Sequence, residues 1–150
     1  MKVITDEILK KKYDKLYKKF AKGEFLEVID GCKRVLKKRK HQLFFNLLSI
    51  AYQKNGKIEK SIDVMREALS LNPDHPNFLN NIGTCFYKLH KYSEAEKYFK
   101  KGLEIDKRHL HILNNLGNLK RETFKIEQSI NFYKKVLDIQ KDAVPTLFNL

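Results

Sequence analysis

Three of the five histidines in this 150-residue chain recur at a constant interval. His41, His75 and His109 are 34 residues apart, and imidazole is a common zinc ligand. A constant interval, however, places each histidine at the same point of a structural repeat, and packed helices of successive repeats lie about 8–10 Å apart. Three nitrogens at that separation cannot share one zinc ion, whose ligands lie at about 2 Å. We therefore interpret these histidines as polar residues of connecting segments, and we expect no metal ion and no cofactor.

The motifs of common enzyme active sites are missing from the sequence. It has no glycine-rich phosphate loop, no Cys-x-x-Cys pair, no His-Glu-x-x-His motif and no nucleophile elbow. Acidic residues are scattered among lysines, and no two of them form an obvious acid–base pair. We predict no catalytic residues and a chain that is not an enzyme.

Asparagine recurs in two neighbouring columns at the same interval. The columns are Asn46, Asn80, Asn114 and Asn81, Asn115, Asn149. An asparagine amide has one acceptor oxygen and two N–H donors, so it can pair with both polar groups of a peptide backbone. Each bond contributes only about 0.5–1.5 kcal/mol net, so several in line are needed for affinity. The columns predict a surface that grips an extended chain largely independently of its side chains.

Helices must position these residues. The chain contains only six glycines and three prolines, and its hydrophobic content of 42% is sufficient for a folded core. Within each 34-residue segment, apolar residues recur at spacings of three and four, first over about 14 residues and then over about 13. The break Asn55-Gly56-Lys57 has strong turn chemistry, and Pro76 suits the first turn of a following helix. Each segment is therefore predicted to form a helical hairpin.

Residues of one type recur in the same columns of the 34-residue segments. Small residues occupy one column on the first helix and another on the second, while Lys120 departs from the aromatic column of Tyr52 and Phe86. The small residues are Ser49, Gly83, Gly117 and Ser61, Ala95, Ser129. This pattern resembles that of the tetratricopeptide repeat (TPR) family. The resemblance implies an all-α fold, a right-handed α-solenoid of antiparallel helix hairpins.

We divide this single predicted TPR domain, residues 1–150, into five parts. The regular repeats are 42–75, 76–109 and 110–143, preceded by a degenerate hairpin or cap at 5–41 and followed by a truncated repeat at 144–150. Because the last segment stops within a predicted helix, we expect a longer protein, with self-association possible through the unfinished C-terminal face.

In the TPR family, the first helix of each hairpin lines a concave groove that holds peptides. The residues assigned to this groove by resemblance are Asn46, Ile50, Lys54, Asn77, Asn80, Asn81, Thr84, Tyr87, Lys88, His111, Asn114, Asn115, Asn118 and Arg121. The lysines and the arginine would attract acidic groups of the ligand. The asparagine columns are similar to the ladders in the TPR arm of O-linked N-acetylglucosamine transferases.

The leading prediction is a protein–protein interaction module, a scaffold that binds an extended peptide or a partner helix in its groove. One alternative is the substrate-recognition arm of a larger glycosyl- or sulfotransferase whose catalytic domain follows residue 150. A second is binding of nucleic acid or an anionic surface by the basic N-terminal hairpin, where residues 1–41 hold fourteen Lys/Arg against six Asp/Glu. Tyr13, Tyr17 and Phe20 could stack on bases there, but their helical spacing favours a core position, which makes nucleic acid the weaker choice.

The sequence also bears on cellular location. It shows no signal peptide and no apolar run near the roughly 20 residues of a membrane span. Cys32 and Cys85 have no short-range partner, which is typical of a reducing compartment. A cytoplasmic protein is expected.

Overall fold

The computed structural model describes residues 6–140, and every regular element within that range is an α-helix. The helices alternate with short turns and form four successive hairpins. Their bounds are α1 Asp6–Ala21, α2 Phe25–Lys38, α3 Gln42–Lys54, α4 Ile58–Leu71, α5 Pro76–Lys88, α6 Tyr92–Ile105, α7 Leu110–Glu122 and α8 Ile126–Ile139. The all-α fold class is confirmed, and Pro76 lies in the first turn of α5 as predicted. The truncated repeat at 144–150, and the self-association assigned to it, lie outside the described residues.

Two compact units divide the chain, Met1–Leu71 and Asn72–Leu150. Unit 1 contains α1 to α4, and unit 2 contains α5 to α8. The organisation of residues 1–150 as a single domain with the repeat bounds given above remains a prediction. None of the helices within residues 6–140 has both the length and the apolar character that crossing a membrane requires.

Each hairpin turns through one residue in the left-handed region of backbone space. These residues are Gly23 (φ 80°), Gly56 (φ 72°), His90 (φ 57°) and Phe124 (φ 58°). In each turn the following amide donates to a carbonyl five residues back, as Lys57 N does to Tyr52 O at 2.9 Å. Glycine adopts this conformation without strain, whereas His90 and Phe124 place a Cβ atom against the backbone. The four turns thus share one geometry, although only the glycine-containing ones have turn chemistry.

In unit 2, aromatic rings pack against the small residues of the first helices. A Cβ atom added at Gly83 would lie 2.6 Å from Phe99 Cε1, and one at Gly117 would lie 2.5 Å from Tyr133 Cε1. Both rings are fully buried, and each contributes about 1.5–3 kcal/mol by leaving water. The small residues therefore allow the two helices to pack closely here, and the space is taken by a ring of the second helix.

Candidate functional site

The predicted groove residues lie on the first helices of the hairpins, α3, α5 and α7. Asn46, Ile50 and Lys54 lie on α3 in unit 1, where Asn46 is half-buried and the other two are exposed. The remaining residues lie in unit 2, and we call them the asparagine face. It consists of Asn77, Asn80, Asn81, Thr84, Tyr87 and Lys88 of α5 with His111, Asn114, Asn115, Asn118 and Arg121 of α7.

A hydrogen-bond network joins α5 to α7 at the centre of this face. Asn115 Nδ2 donates to Asn80 Oδ1 at 2.9 Å and to Thr84 Oγ1 at 3.3 Å. Thr84 Oγ1 in turn donates to the backbone oxygen of Asn80 at 2.9 Å. All three side chains are half-buried. The amide nitrogen of Asn115 is therefore engaged within the protein, where it fixes the register of the two helices.

Two further asparagines of the face also have engaged carbonyl oxygens. Tyr133 OH donates to Asn118 Oδ1 at 2.6 Å, and His109 Nε2 lies 2.9 Å from Asn77 Oδ1. Because His109 Nδ1 accepts from the Ile112 amide at 3.3 Å, its proton is assigned to Nε2, which donates to Asn77.

Asn114 and Asn80 differ from these residues. Asn114 Oδ1 is buried and has no hydrogen-bond partner within residues 6–140. An unsatisfied buried acceptor costs about 1–3 kcal/mol, and such groups are uncommon in native proteins. Turning this amide outward would therefore break no hydrogen bond of its oxygen. Asn80 uses its oxygens within the network, while its Nδ2 donates to none of the described residues. Together the two amides offer one acceptor oxygen and one donor nitrogen.

Charged groups lie beyond the asparagines, near the C-terminal ends of α5 and α7. Lys88 and Arg121 are exposed there, and the Glu122 carboxylate lies close enough to act on Tyr87. Burial raises the pKa of the Tyr87 phenol, and Glu122 raises it further. This end of the face thus carries cations of the kind predicted to attract acidic groups, next to one carboxylate.

The three recurring histidines each immediately precede a first helix as its N-cap residue. His41 Nδ1 accepts from the Leu43 amide at 3.3 Å, in the manner of His109, while the His75 ring stacks on Phe78 with centroids 4.0 Å apart. Burial lowers the pKa of both His75 and His109. Their placement in connecting segments is confirmed, and their specific role is at helix starts. No three His, Cys, Asp or Glu side chains in the described part of the chain come close enough to hold a metal ion.

The sequence interpretation missed a buried ion pair in unit 2. Lys120 is 5% exposed, and its Nζ lies 2.8 Å from Glu96 Oε1. Glu96 also pairs with Lys100 at 2.7 Å. The departure of Lys120 from an aromatic column was the available signal, because a lysine at a buried position needs a carboxylate nearby.

One interpretation of the first hairpin is wrong. The helical spacing of the α1 aromatics favours core positions, yet Tyr17 is 53% exposed. Its ring stacks between those of Tyr13 and Phe20, with centroids 6.0 and 6.2 Å away. The three rings cover one another along the helix, so their spacing reflects mutual stacking as well as burial.

These features define a helical-repeat protein in which both hairpins of unit 2 pack a ring of the second helix against a glycine of the first. Sequence models of the tetratricopeptide repeat match residues 43–75, 76–109 and 110–142. The chain belongs to the tetratricopeptide repeat family.

Solved structures of TPR proteins have the same fold. TTC0263, a thermophilic TPR protein of Thermus thermophilus, aligns with a TM-score of 0.83 and 17% identity over 91% of this chain and 76% of that one. YrrB, described as a TPR protein with an unusual peptide-binding site, aligns with a TM-score of 0.73 and 20% identity over 91% and 71%. The first TPR of Spaghetti (RPAP3), bound to the HSP90 peptide SRMEEVD, aligns with a TM-score of 0.68 and 19% identity over 72% and 86%. No curated protein matches the chain by sequence.

Proposed function

We propose that this chain is a protein–protein interaction module that holds an extended segment of a partner protein on the asparagine face. The observation that carries the proposal is the pair formed by Asn114, with its buried and unsatisfied carbonyl oxygen, and Asn80, with its unused amide nitrogen. An extended peptide presents an N–H and a C=O at each residue, so it can donate to Asn114 while it accepts from Asn80.

The same pair favours an extended segment over a partner helix. Backbone N–H groups inside a helix already donate to carbonyl groups of the preceding turn, so a helix has few to offer Asn114. An extended segment keeps its N–H groups available, as in peptides that add to a sheet edge. The similarity of the asparagine columns to the ladders of glycosyltransferase arms stays a hypothesis. It concerns the same chemistry, in which asparagine amides hydrogen-bond to a peptide backbone.

Preorganisation adds to the affinity of such a site. The Asn115 hydrogen bonds hold α5 and α7 together, and the rings of Phe99 and Tyr133 fill the space behind Gly83 and Gly117. Because the helices are fixed before the ligand arrives, binding orders few groups of the protein beyond the Asn114 amide.

Acidic residues of the ligand are expected to lie toward Lys88 and Arg121. A charge-assisted hydrogen bond to a carboxylate is about twice as strong as a neutral one. Two structural neighbours support peptide binding: YrrB has a peptide-binding site, and the RPAP3 domain is bound to a peptide with three acidic residues. Because both are 20% identical to this chain or less, the comparison shows a shared fold alone, and their ligands only guide the choice of peptides as probes.

The test begins with peptides selected from a displayed random library against the immobilised chain. The dissociation constant of a selected peptide is then measured for the wild type and for Asn80→Ala and Asn114→Ala. Each change should weaken binding by about twofold to tenfold, which corresponds to one net hydrogen bond. Asn131→Ala, an exposed asparagine of α8 outside the face, is the matched control and should leave the affinity unchanged. Equal effects of all three changes would count against the proposal.

A further inference from the structure

A groove lies in unit 1, between α1 and α2. The groove has a volume of about 620 Å³, and its floor is formed by Leu16, Gly31 and Val35. The two helices approach closely here, since a Cβ atom added at Gly31 would lie 2.4 Å from Leu16 Cδ2. Apolar atoms thus form the base of the groove, and the long side chains of both helices form its walls.

The walls carry more cations than carboxylates. Lys12 and Lys15 of α1, and Arg34, Lys37 and Lys38 of α2, line the groove and form no ion pair among residues 6–140. Some basic residues elsewhere in unit 1 do form such pairs, namely Lys11 with Glu7 at 2.8 Å, Arg39 with Asp6 at 3.0 Å, and Lys40 with Glu67. The groove therefore brings together, above an apolar floor, five cations that form no ion pair within the described residues.

We propose that this surface, hereafter the basic groove, binds an acidic segment of a partner polypeptide. Lys12 and Lys15 on one wall, with Arg34 and Lys37 on the other, lie on successive turns of their helices, so they can meet carboxylates along both sides of a bound segment. An apolar side chain of the segment would cover Leu16 on the floor. The basic groove belongs to unit 1 and does not depend on the asparagine face.

Two carboxylates in the groove favour a polypeptide over nucleic acid. Glu27 pairs with Lys19, while Asp30 makes no ion pair among the described residues and stands beside the cations. A nucleic acid carries a phosphate at every nucleotide and would meet these carboxylates with like charge. A polypeptide can place an uncharged residue or an N–H donor opposite them, and it gains from the apolar floor.

The test uses a short fluorescein-labelled peptide of alternating glutamate and leucine, and its binding to the full chain is followed by fluorescence anisotropy. The groove variant combines Lys12→Gln, Lys15→Gln, Arg34→Gln and Lys37→Gln. It should raise the dissociation constant about tenfold or more, because four charge pairs are lost together. All four side chains are exposed, so a thermal melt by circular dichroism should show that the fold is kept.

A control variant of equal net charge separates the groove from general attraction. It combines Lys57→Gln, Lys60→Gln, Lys91→Gln and Lys134→Gln, which are exposed and outside the groove. This variant should change the dissociation constant by about twofold or less. Equal weakening by the groove and control variants would overturn the proposal, since the attraction would then be diffuse.

Asp30→Asn provides a test in the opposite direction. Removing this carboxylate should tighten binding of the acidic peptide about twofold to threefold, whereas Asp138→Asn, an equal charge change on α8, should have no effect. A single-stranded oligothymidylate of matched charge is measured in parallel. If the oligothymidylate binds more tightly than the peptide, or if Asp30→Asn fails to tighten peptide binding, the groove does not select an acidic polypeptide.

Discussion

The buried ion pair between Lys120 and Glu96 predicts that two substitutions in one contact have very different effects on stability. In the first, Glu96→Gln, the Lys120 ammonium keeps its buried position and loses its carboxylate. In the second, Lys120→Phe, the buried charge itself is removed, and Glu96 keeps its contact with Lys100 at 2.7 Å. Phenylalanine is a suitable replacement at this position, because Phe86 occupies the same column one repeat earlier.

The exposures of the two side chains set the magnitudes. The Lys120 side chain is 6% exposed and the Glu96 side chain is 21% exposed. Water therefore reaches Glu96 in part and screens the pair only partially. Breaking a fully buried pair costs about 3–5 kcal/mol, and with partial screening we expect Glu96→Gln to lower the free energy of unfolding by about 2–3 kcal/mol. Replacing a buried charge with a packed apolar side chain is often neutral or stabilising. Lys120→Phe should therefore change the free energy of unfolding by about 0 to +2 kcal/mol. Phe86 stacks on Tyr98 with centroids 5.5 Å apart, and Phe132 is the counterpart of Tyr98 available to the new ring.

Urea unfolding followed by far-ultraviolet circular dichroism measures both changes, first at pH 7 and then in acid. Burial alone would raise the pKa of Glu96, but the hydrogen bonds from Lys100 and Lys120 outweigh it and lower the pKa below its usual 4.5. The stabilisation from Glu96 is therefore present above pH 4.5 and is lost as the pH falls through the lowered value. The difference between the wild type and Glu96→Gln should shrink in the same range. If Glu96→Gln is neutral at pH 7 while Lys120→Phe is strongly destabilising, the reasoning is refuted.

Two further predictions concern the turns and the helix caps. Phe124→Gly should raise the free energy of unfolding by about 0.5–1 kcal/mol, because Phe124 combines a φ of 58° with 88% exposure and glycine removes the Cβ strain. Gly56→Ala in the matching turn should lower it, and the same sign for both in urea titrations would contradict the shared geometry. For His109, burial lowers the pKa below 6.5, so the neutral, capping form stabilises the fold above pH 6.5 and that stability is lost as the pH falls below this value. His109→Asn keeps a cap without this titration, so thermal melts from pH 8 to 5 should show a steeper loss for the wild type than for the variant, and parallel curves would exclude the histidine as the source.

The hairpin architecture was predictable because three in-phase copies repeat the helical spacing of apolar residues. Pro76 and the turn at Gly56 mark element boundaries through local backbone chemistry, which a sequence displays directly. The turn at Phe124 was less visible, since its left-handed residue is imposed by the two helices that it joins. A position that glycine occupies in one copy requires the same conformation of any residue in the others.

The candidate site was predictable as a set of columns and not as individual roles. Asn114 and Asn115 are adjacent in sequence and differ by about 100° around the helix, which follows from 3.6 residues per turn. That rotation directs Asn115 toward Asn80 and Thr84, whereas Asn114 keeps an unsatisfied oxygen. The difference in partners depends on how α7 packs against α5, and a sequence pattern does not show which side of α7 faces α5. The Lys120–Glu96 pair is similar, because its partners are 24 residues apart and meet only through packing of the helices.

The most direct test of the proposed function asks whether Asn114 accepts a hydrogen bond from the backbone of a bound peptide. Each backbone amide of a peptide selected against the chain is methylated in turn, and every derivative is measured against the wild type and Asn114→Ala. We predict that methylation at one position weakens binding to the wild type about fivefold to tenfold and has little effect on binding to the variant, because the bond is already absent there. If every methylated peptide loses the same affinity for both proteins, Asn114 does not hold the peptide backbone.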